Sequence, residues 1–351
     1  MSGTEWAVEK EGETLAKKTL IIGGGIAGIT AAQKIAQNGG AALLIEKEGH
    51  LGGNFAQLTY TFPVLADAKG IVAREIKTAQ ELGGIEILLQ TTLESCSGEA
   101  GNFTVELRTP SGRRTEQVAA IVVAAGFHYM EPTAYTEYAY GRSAKVVTSL
   151  EFERMAAEGR LPQGQVRVVF VHCVGSRDKA KGYRYCSKIC CSYSAKHAIM
   201  LKQANPEAKA YVFYIDIRAL GKGYEEFIRE AMEKYNVRYI RGRVAKVIES
   251  GDKLLVRAED SLIGNPVEVE ADLVVLASAM EPPQGSRDLA GILGIATDEY
   301  GFFREAEANV RPCHSSKEGV FLAGSCTQPM EIAAAVGMGG LAASEALILS
   351  R

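Results

Sequence analysis

The sequence predicts an α/β fold of two nested domains, each built on a parallel sheet. Apolar runs with the length of buried strands alternate with helical stretches, which is the pattern of strand–helix–strand units. One such unit is complete at 19–45, and further strand-like runs follow at 165–171, 210–215 and 271–279. The 351 residues, 47% of them hydrophobic, are enough for two cores of ordinary size.

Charge and hydropathy exclude some classes of protein. The formal net charge of -3 leaves no excess of basic residues to neutralise many phosphates, so we expect no nucleic-acid partner. Residues 1–18 lack the apolar stretch of a secretory signal. The most apolar segment, 332–349, is rich in Ala and Gly and contains Glu345, so we interpret it as a packed helix and not a membrane span. A soluble, cytoplasmic protein is expected.

A glycine-rich turn follows the first strand, with the sequence Gly23-Gly24-Gly25-Ile26-Ala27-Gly28. In a Rossmann-type unit the first glycine permits a tight turn, the second leaves room for a pyrophosphate, and the third lets the helix pack closely on the strand. The helix N-terminus offers free N–H groups to phosphates, and Glu46, at the end of the next strand, is placed to accept ribose hydroxyls. The unit therefore predicts a dinucleotide site.

Three further features favour FAD over NAD, although each alone is also typical of an ordinary strand end. Flexible backbone at 52–54 follows the ribose acid, the strand-like runs 121–126 and 319–325 each contain a terminal glycine turn, and a helix is expected to begin near Glu331. The residues expected to contact FAD are Gly23, Gly25, Ile26, Ala27, Gly28, Glu46, Lys47, Gly52, Gly53, Asn54, Ala125, Gly126, Gly324, Ser325, Ile332 and Ala333.

The middle of the chain repeats part of this architecture, so a second dinucleotide-type domain is predicted to be inserted into the first. Gly and Pro interrupt the pattern at 140–148 and 281–285, where we expect the hinges. The predicted division is an FAD-binding domain at 1–143, an inserted domain at 144–283 and the remainder of the FAD-binding domain at 284–351.

The second domain lacks a glycine turn after its first strand and carries cysteines there, so no nicotinamide nucleotide site is expected. Four of the seven cysteines fall within nineteen residues: Cys173, Cys186, Cys190 and Cys191. Such crowding in a cytosolic chain argues for metal or redox chemistry. Four thiolates complete the coordination of a [4Fe-4S] cluster, with Cys186 and Cys190 expected on one face of a helix and Cys173 at a strand end.

Other interpretations of these cysteines remain open. They are a structural zinc site, a strained disulfide between Cys190 and Cys191, and inert packing thiols. His172 is either a residue that surrounds the cluster or a hydrogen-bonded packing residue. The remaining cysteines are expected to be ordinary core or surface thiols: Cys96, Cys313 and Cys326.

Five stretches carry a resemblance to a known family. They are GGGIAGITAA at 23–32, GGNFAQLTYTFP at 52–63, HCVGSRD at 172–178, YCSKICC at 185–191 and YIDIRALGKGYEEF at 214–227. In these motifs the chain resembles the A subunit of heterodisulfide reductase, in the short form associated with sulfur oxidation. The resemblance implies a thioredoxin-reductase-like FAD domain, a [4Fe-4S] cluster held by the four matching cysteines, and a homodimer.

The resemblance also implies a function as an oxidoreductase. We expect an FAD and [4Fe-4S] electron-transfer subunit of a heterodisulfide-reductase-like complex in cytoplasmic sulfur-compound oxidation. The expected partners are the other subunits and a thiol/disulfide or sulfur-carrier protein. Arg218, Lys222 and Tyr224 are candidates for tuning the flavin or for docking, with a solvated loop as the alternative.

The chain departs from longer members of the family in having no cysteine just after TFP at 61–63 and no C-x2-C-x2-C run. A complete internal path to low-potential ferredoxin is therefore not expected. Two alternative functions stay open. A stand-alone NAD(P)H-dependent disulfide reductase without a cluster would have a second glycine turn and a C-x-x-C pair, and the sequence contains neither. A flavin-containing structural subunit would organise a larger assembly and catalyse no reaction.

Overall fold

The computed structural model describes residues 17–350; most of the N-terminal stretch predicted to carry no export signal lies outside the described residues. The strands are β1 (Lys18–Ile22), β2 (Ala42–Ile45), β3 (Ile85–Leu88), β4 (Thr92–Glu99), β5 (Asn102–Thr109), β6 (Gly112–Val123), β7 (His128–Tyr129), β8 (Val146–Thr148), β9 (Arg167–Val174), β10 (Lys209–Tyr214), β11 (Arg238–Arg241), β12 (Val244–Ser250), β13 (Lys253–Asp260), β14 (Asn265–Ala271), β15 (Leu273–Ser278), β16 (Met280–Glu281) and β17 (Val320–Leu322). The helices are α1 (Ile26–Gln37), α2 (Ala68–Glu81), α3 (Ser149–Ala157), α4 (Cys190–Ala204), α5 (Tyr224–Glu233), α6 (Ser286–Leu293) and α7 (Ile332–Ser350).

The first sheet contains a parallel part with the strand order β3-β2-β1-β6-β17. Within this part β1, β2 and β17 are buried almost throughout, as expected when helices cover a parallel sheet, whereas the edge strand β3 contains Glu86 and is half-buried. α1 and α7 cover one face of the sheet, where their small side chains allow close packing. The carboxyl ends of these strands meet at one edge, where ligands bind in folds of this type.

β6 belongs to two layers of the first domain. Its first half pairs antiparallel with β5, which pairs with β4, and its last residues lie parallel to β1 and β17. The burial pattern changes accordingly from alternating to continuous along the strand. The sequence predicted only the second half, because a run of apolar residues marks a strand buried on both faces.

The second sheet repeats the parallel part of the first. Its strand order is β11-β10-β9-β15-β8, all parallel, so β9 takes the place that β1 has in the first sheet. A three-stranded antiparallel layer, β12-β13-β14, leads into β15 as β4-β5-β6 does in the first domain. The predicted repeat of the architecture is therefore present in the structure.

The connections between the two domains pair with each other. β7 and β16 form a two-stranded antiparallel sheet in which Tyr129 lies opposite Met280. The first sheet takes its strands from 18–123 and 320–322, and the second takes them from 146–278. The division at 143 and 283 stays a prediction.

Among the described residues, α7 alone is long and apolar enough to cross a membrane, judged by length and composition. This is weak evidence, because the core helix of a globular domain meets the same criteria. Ala342, Ala343 and Ala346 on one face of α7 are fully buried in the core beside the first sheet.

Candidate functional site

The turn between β1 and α1 is shaped by close backbone contacts. Gly23 has a φ of +112°, and a Cβ there would collide with the carbonyl oxygen of Ala124. A Cβ on Gly28 would collide with the carbonyl oxygen of Gly23. Only glycine fits at these two positions, and as a result α1 begins close to the end of β1.

Gly25 has a different environment from Gly23 and Gly28. A Cβ on Gly25 would meet no atom within 4 Å, and its φ of -75° and ψ of 178° are accessible to any residue. The fold therefore does not require glycine here, whereas a ligand that approaches the backbone does. Gly25 is the N-cap of α1 and has no side-chain capping bond, so the first N–H groups of the helix are available to an anion.

The carboxylate of Glu46 is held by two backbone N–H groups, one in the glycine turn and one two residues after Glu46 itself. Its Oε2 accepts a hydrogen bond from the N–H of Gly24 at 2.6 Å, and its Oε1 accepts one from the N–H of Glu48 at 2.9 Å. The side chain lines the cavity described next. Because a carboxylate can accept about four hydrogen bonds, the two amides leave capacity for ribose hydroxyls.

A cavity of about 580 Å³, here called the flavin cavity, extends from the glycine turn to α3 and α4 of the second domain. It is lined by all the residues predicted to contact FAD except three: Gly28, Gly324 and Ala333. Gly28 packs behind the turn, a Cβ on Gly324 would press on the side chain of Ala27, and Ala333 is exposed. The residues present fit a flavin dinucleotide with its pyrophosphate at Gly25.

Three titratable residues at the far end of the flavin cavity were missed by the sequence analysis. Oε2 of Glu153 lies 2.7 Å from Nζ of Lys196 and 2.5 Å from Nε2 of His197, and the side chains of Glu153 and Lys196 are each 1% exposed. Nζ of Lys196 also donates to the carbonyl oxygen of Tyr60 at 3.0 Å, and Oε1 of Glu153 accepts from the N–H of Thr59 at 2.6 Å. The sequence signal that could have indicated this group is the placing of a lysine and a histidine between two alanines of an apolar helix, α4.

The charge state of this group follows from its burial and pairing. Burial acts to raise the pKa of Glu153, but His197 and Lys196 outweigh it, and the net pKa lies well below the ordinary value. Burial lowers the pKa of His197, with the opposing effect of Glu153 too small to reverse it. At the far end of the flavin cavity, the ionised carboxylate of Glu153 therefore accepts hydrogen bonds from the ammonium group of Lys196 and from the Nε2–H of a neutral His197.

The four predicted cluster ligands lie at the carboxyl edge of the second sheet. Cys173 is the last residue but one of β9, and Cys190 and Cys191 are the first two residues of α4. The expectation that Cys186 and Cys190 share a helix face is wrong. Lys188 has a φ of +60°, a left-handed conformation that prevents a helix from continuing back from Cys190 to Cys186.

The four cysteines lie close enough to affect one another's protonation. Hydrogen bonding with Cys190 lowers the pKa of Cys173 and of Cys191, and the same bonds raise the pKa of Cys190. Burial raises the pKa of Cys186, and Cys173 and Cys191 add to that effect. Cys173, Cys190 and Cys191 are buried, whereas Cys186 is half-buried.

Within residues 17–350, no group of three or more His, Cys, Asp and Glu side chains is arranged to hold a metal ion. A single zinc ion would draw its thiolates to about 2.3 Å from one point. A cubane of four irons is larger and has one cysteine on each iron, so its ligands are farther apart. The arrangement of the four cysteines shows neither ligand set, so the [4Fe-4S] assignment stays a prediction.

The surroundings of the cysteines contain polar atoms without partners and strained backbone. Both ring nitrogens of His172 and Nη1 of Arg177 are buried with no hydrogen-bond partner among residues 17–350. Of the six described non-glycine residues with positive φ, three lie here: Cys173, Arg177 and Lys188. Strain and unpaired buried polar groups of this kind concentrate at ligand sites.

The cysteines and the flavin cavity share a wall. Cys190 and Cys191 pack in one apolar cluster with Phe62, Phe127 and Tyr193. The same three aromatic side chains line the flavin cavity. One set of side chains therefore touches both sites.

The other residues singled out from the sequence lie outside the flavin cavity. Arg218 and Lys222 are exposed, although the backbone N–H of Arg218 donates to Sγ of Cys191 at 3.4 Å. Tyr224 packs edge-on against Phe62, with ring centroids 6.2 Å apart. Two of the remaining cysteines pack in the cores beside the first sheet, and the third is half-buried on β4: Cys313, Cys326 and Cys96.

Residues 17–170 match the family described as pyridine nucleotide-disulphide oxidoreductase. Over 94% of its length the chain is 33% identical to the A subunit of H(2):CoB-CoM heterodisulfide,ferredoxin reductase of Methanothermobacter marburgensis. Over the same share it is 31% identical to the iron-sulfur A subunit 2 of CoB--CoM heterodisulfide reductase of Methanopyrus kandleri. The chain spans 63% and 64% of the lengths of these curated relatives, less than two thirds of either.

Solved thioredoxin reductases have a similar fold. The enzyme of T. acidophilum superposes with a TM-score of 0.66 at 20% identity, over 95% of this chain and 98% of that one. The enzyme of Lactococcus lactis superposes with a TM-score of 0.67 at 18% identity, over 95% and 99% of the two chains. At such low sequence identity the superpositions show similarity of fold alone. They confirm the predicted thioredoxin-reductase-like fold class.

The two parallel sheets and the glycine turn at the head of the flavin cavity define a flavoprotein oxidoreductase with two dinucleotide-type domains. Within this class, the two relatives described above, which match 94% of the chain, are named as A subunits of heterodisulfide reductases. The chain is similar to these A subunits over nearly all of its own length, at 31 to 33% identity.

Proposed function

We propose that this chain is an electron-transfer protein that binds FAD in the flavin cavity and a [4Fe-4S] cluster at Cys173, Cys186, Cys190 and Cys191. FAD exchanges one or two electrons and the cluster exchanges one, so a protein that holds both converts between electron pairs and single electrons. One observation carries the proposal. Where the second fold would have a glycine turn, it has interacting thiols that share an aromatic wall with the flavin cavity.

The residues of the flavin cavity have separate roles in this proposal. Gly25 and the N-terminus of α1 bind the pyrophosphate, and Glu46 binds the ribose. Lys196 holds a positive charge at the far end, where Glu153 and the carbonyl oxygen of Tyr60 fix its position. A fixed positive charge in a site shielded from water favours the development of negative charge beside it.

The residues around the cysteines have a second role. His172 and Arg177 have buried nitrogen atoms that would donate hydrogen bonds to sulfur, and such bonds tune the potential of a cluster. Phe62, Phe127 and Tyr193 exclude water between the two sites. The wall between the two sites is thereby apolar.

The biological setting is also part of the proposal. The protein would work in a cytoplasmic heterodisulfide-reductase-like complex that oxidises sulfur compounds, as a homodimer, with the other subunits and a thiol/disulfide or sulfur-carrier protein as partners. Support comes from relatives named as subunits of heterodisulfide reductases, one of them as an iron-sulfur subunit. Since this chain spans less than two thirds of those relatives, segments that they have are not part of the proposal.

A stand-alone NAD(P)H-dependent disulfide reductase is the second candidate, favoured by the match to pyridine nucleotide-disulphide oxidoreductases. That match ends at residue 170, just before the cysteine loop. The part of the chain that would hold the nicotinamide nucleotide thus lies beyond the match and has no glycine turn.

Metal analysis of anaerobically purified protein tests the proposal. We expect stoichiometric FAD together with about four iron and four acid-labile sulfide per chain, and an EPR signal of a reduced cluster after dithionite treatment. In stopped-flow mixing, the rate of flavin bleaching is compared between a dithiol and NADH as reductants. We expect no rapid bleaching by NADH. Protein that holds flavin but neither iron nor sulfide would overturn the cluster assignment, and rapid bleaching by NADH would favour the second candidate.

A further inference from the structure

The loop at 58–66, here called the bridging loop, follows the flavin-contacting glycines of the first domain and leads into α2. It includes the sequence LTYTFP at 58–63 and contains no helix or strand. Oγ1 of Thr61 donates to the carbonyl oxygen of Val64 at 2.6 Å, and the N–H of Thr61 donates to the carbonyl oxygen of Ala66 at 3.0 Å. Its own hydrogen bonds therefore hold the loop in one compact shape.

Two backbone groups of the bridging loop bind charged side chains of the second domain. The N–H of Thr59 donates to Oε1 of Glu153 at 2.6 Å, and the carbonyl oxygen of Tyr60 accepts from Nζ of Lys196 at 3.0 Å. Glu153 lies on α3 and Lys196 on α4, and both side chains are buried. Because hydrogen bonds to buried charges are costly to lose, these two bonds hold the loop against both helices.

Two apolar side chains of the bridging loop pack into the core of the second domain. Phe62 and Leu65 lie against the cluster of buried side chains that contains Phe152 and Phe227. The ring of Phe62 is also edge-on to Tyr224, the first residue of α5, with centroids 6.2 Å apart. Side chains of one domain that fill the core of another fix how the two domains are oriented, because protein cores are close-packed.

The flavin cavity lies between the same two domains. Its walls include Gly25 and Glu46 from the first domain and Glu153 and Lys196 from the second. Within residues 17–350 the chain passes between the two sheets twice, and these passages contain β7 and β16, which pair with each other. The domains are thus joined covalently at the β7–β16 pair and by non-covalent contacts at the bridging loop.

A second set of contacts between the domains is aromatic. The ring of Tyr185, in the cysteine loop, lies edge-on to Tyr300, with centroids 4.9 Å apart, and to Phe302 at 5.5 Å. These contacts remain when the bridging loop is weakened. A change in the loop should therefore make opening of the domains more frequent without separating them permanently.

We propose that the bridging loop is a latch that holds the second domain over the flavin cavity, so that FAD enters and leaves only when the loop releases α3, α4 and α5. The inference rests on the part of the proposed function that puts FAD in this cavity, and it does not depend on a cluster. The release of FAD is then limited by opening of the domains. Leu65 and Tyr224 govern that release although neither lines the cavity.

The rate of FAD release from the holoprotein tests the latch. It is measured after dilution into an excess of apo-glucose oxidase, which takes up free FAD and regains activity. We expect Leu65→Ala and Tyr224→Ala each to speed release by about tenfold, because each removes an apolar contact between the domains. Tyr224→Phe should release FAD at the wild-type rate, since the edge-on contact needs only the ring.

Hydrogen exchange measured by mass spectrometry at saturating FAD gives a second readout. The peptide that spans 58–66 should exchange faster in Leu65→Ala and Tyr224→Ala than in the wild type, while the peptide that spans 23–28 stays unchanged. The matched control is Tyr235→Ala. Tyr235 packs against the same core of the second domain, but its hydroxyl accepts from Gln203 in the last turn of α4, away from the bridging loop. Both measurements should stay at the wild-type values in this control.

Two outcomes would overturn the latch. One is a wild-type release rate, with unchanged exchange at 58–66, in both Leu65→Ala and Tyr224→Ala. The other is an equal rise in the release rate of Tyr235→Ala, which would reflect a general loss of stability. Wild-type protein that holds no FAD and binds none when it is added refutes the proposed function, whereas wild-type protein with full FAD and variants with unchanged rates refutes only the latch.

Discussion

The two dinucleotide-type folds of this protein have the same strand order and differ in the connection that follows the central strand. In the first fold, residues 23–25 join β1 directly to α1. In the second, residues 175–189 separate β9 from α4, and the helix begins with Cys190 and Cys191. The sheet thus provides an edge for ligands in both folds, while the connection at that edge decides which chemistry it can hold.

The two connections also use the backbone differently. In the first, the left-handed conformation falls on Gly23, which adopts it without steric cost. In the second, it falls on Arg177 and Lys188, and Cys173 at the end of β9 also adopts it, each at a cost on the order of 1–3 kcal/mol. The first turn therefore adopts its conformation without strain, whereas the second carries strain in its backbone.

The largest effect is expected from removing a thiol in the second connection. In Cys190→Ser, a buried ligand of the proposed cluster is lost, and we expect iron and acid-labile sulfide to fall to a small fraction of the wild-type content while FAD remains bound. Chemical analysis and the visible spectrum measure both. Cys313→Ser is the matched control, because Cys313 is equally buried but packs beside the first sheet. An iron content in Cys190→Ser equal to that of the wild type would contradict the proposal that the second connection holds a cluster and the first does not.

The first connection is tested at Gly25. A Cβ there meets no protein atom and serine is a good N-cap residue, so Gly25→Ser should not lower the stability of the apoprotein and should weaken FAD binding by about tenfold or more, a loss of roughly 1.4 kcal/mol. Flavin titration and thermal unfolding of the apoprotein separate these effects. In Gly28→Ala, the added methyl group collides with Gly23, so stability should fall even without flavin. Equal stability losses in both variants would contradict the distinction between ligand-facing and packing glycines.

The region where the two folds meet is tested at Glu153. Replacing it by Gln leaves Lys196 buried without its counter-ion, and we expect a loss of about 3–5 kcal/mol in the free energy of unfolding. Urea denaturation of the apoprotein measures it. Glu225→Gln removes a carboxylate from an exposed pair with Arg229, for which the expected loss is below about 0.5 kcal/mol. Similar values for the two variants would show that the buried group contributes no more than a surface pair.

The smallest effect concerns the pH dependence of stability in the same region. The folded state lowers the pKa of His197 from its ordinary value of 6.5, so below pH 6.5 the unfolded chain binds more protons than the folded protein. Stability should therefore decline as pH falls below 6.5, by up to about 1.4 kcal/mol per pH unit from this residue. Glu153 acts in the same direction at lower pH, since its lowered pKa gives stability that is lost as the carboxylate protonates.

Urea unfolding at several pH values, compared between the wild type and His197→Gln, isolates the contribution of His197. The variant should show a shallower decline below pH 6.5, because it has no imidazole to protonate on unfolding. An identical pH profile for the two proteins would mean that His197 is not held neutral in the folded state.

The sequence by itself determined the elements whose signal is local. Strands buried on both faces appear as apolar runs, the turn at Gly23 needs a residue without a side chain, and Glu46 follows at the end of the next strand. For the same reason the crowding of Cys173, Cys186, Cys190 and Cys191 was visible without a structure. Sequence spacing encodes such features because neighbouring residues share one element or one turn.

Only the tertiary structure decided which distant residues meet. Glu153 and His197 are 44 positions apart, and they form a pair because α3 and α4 pack on the second sheet next to the flavin cavity. Cys186 likewise lies outside α4 because Lys188 has a left-handed conformation. A lysine gives no indication of that conformation in the sequence. Contacts between elements and strained backbone are set by the packing of the whole domain, and the free energy that sustains them comes from that packing and not from local propensity.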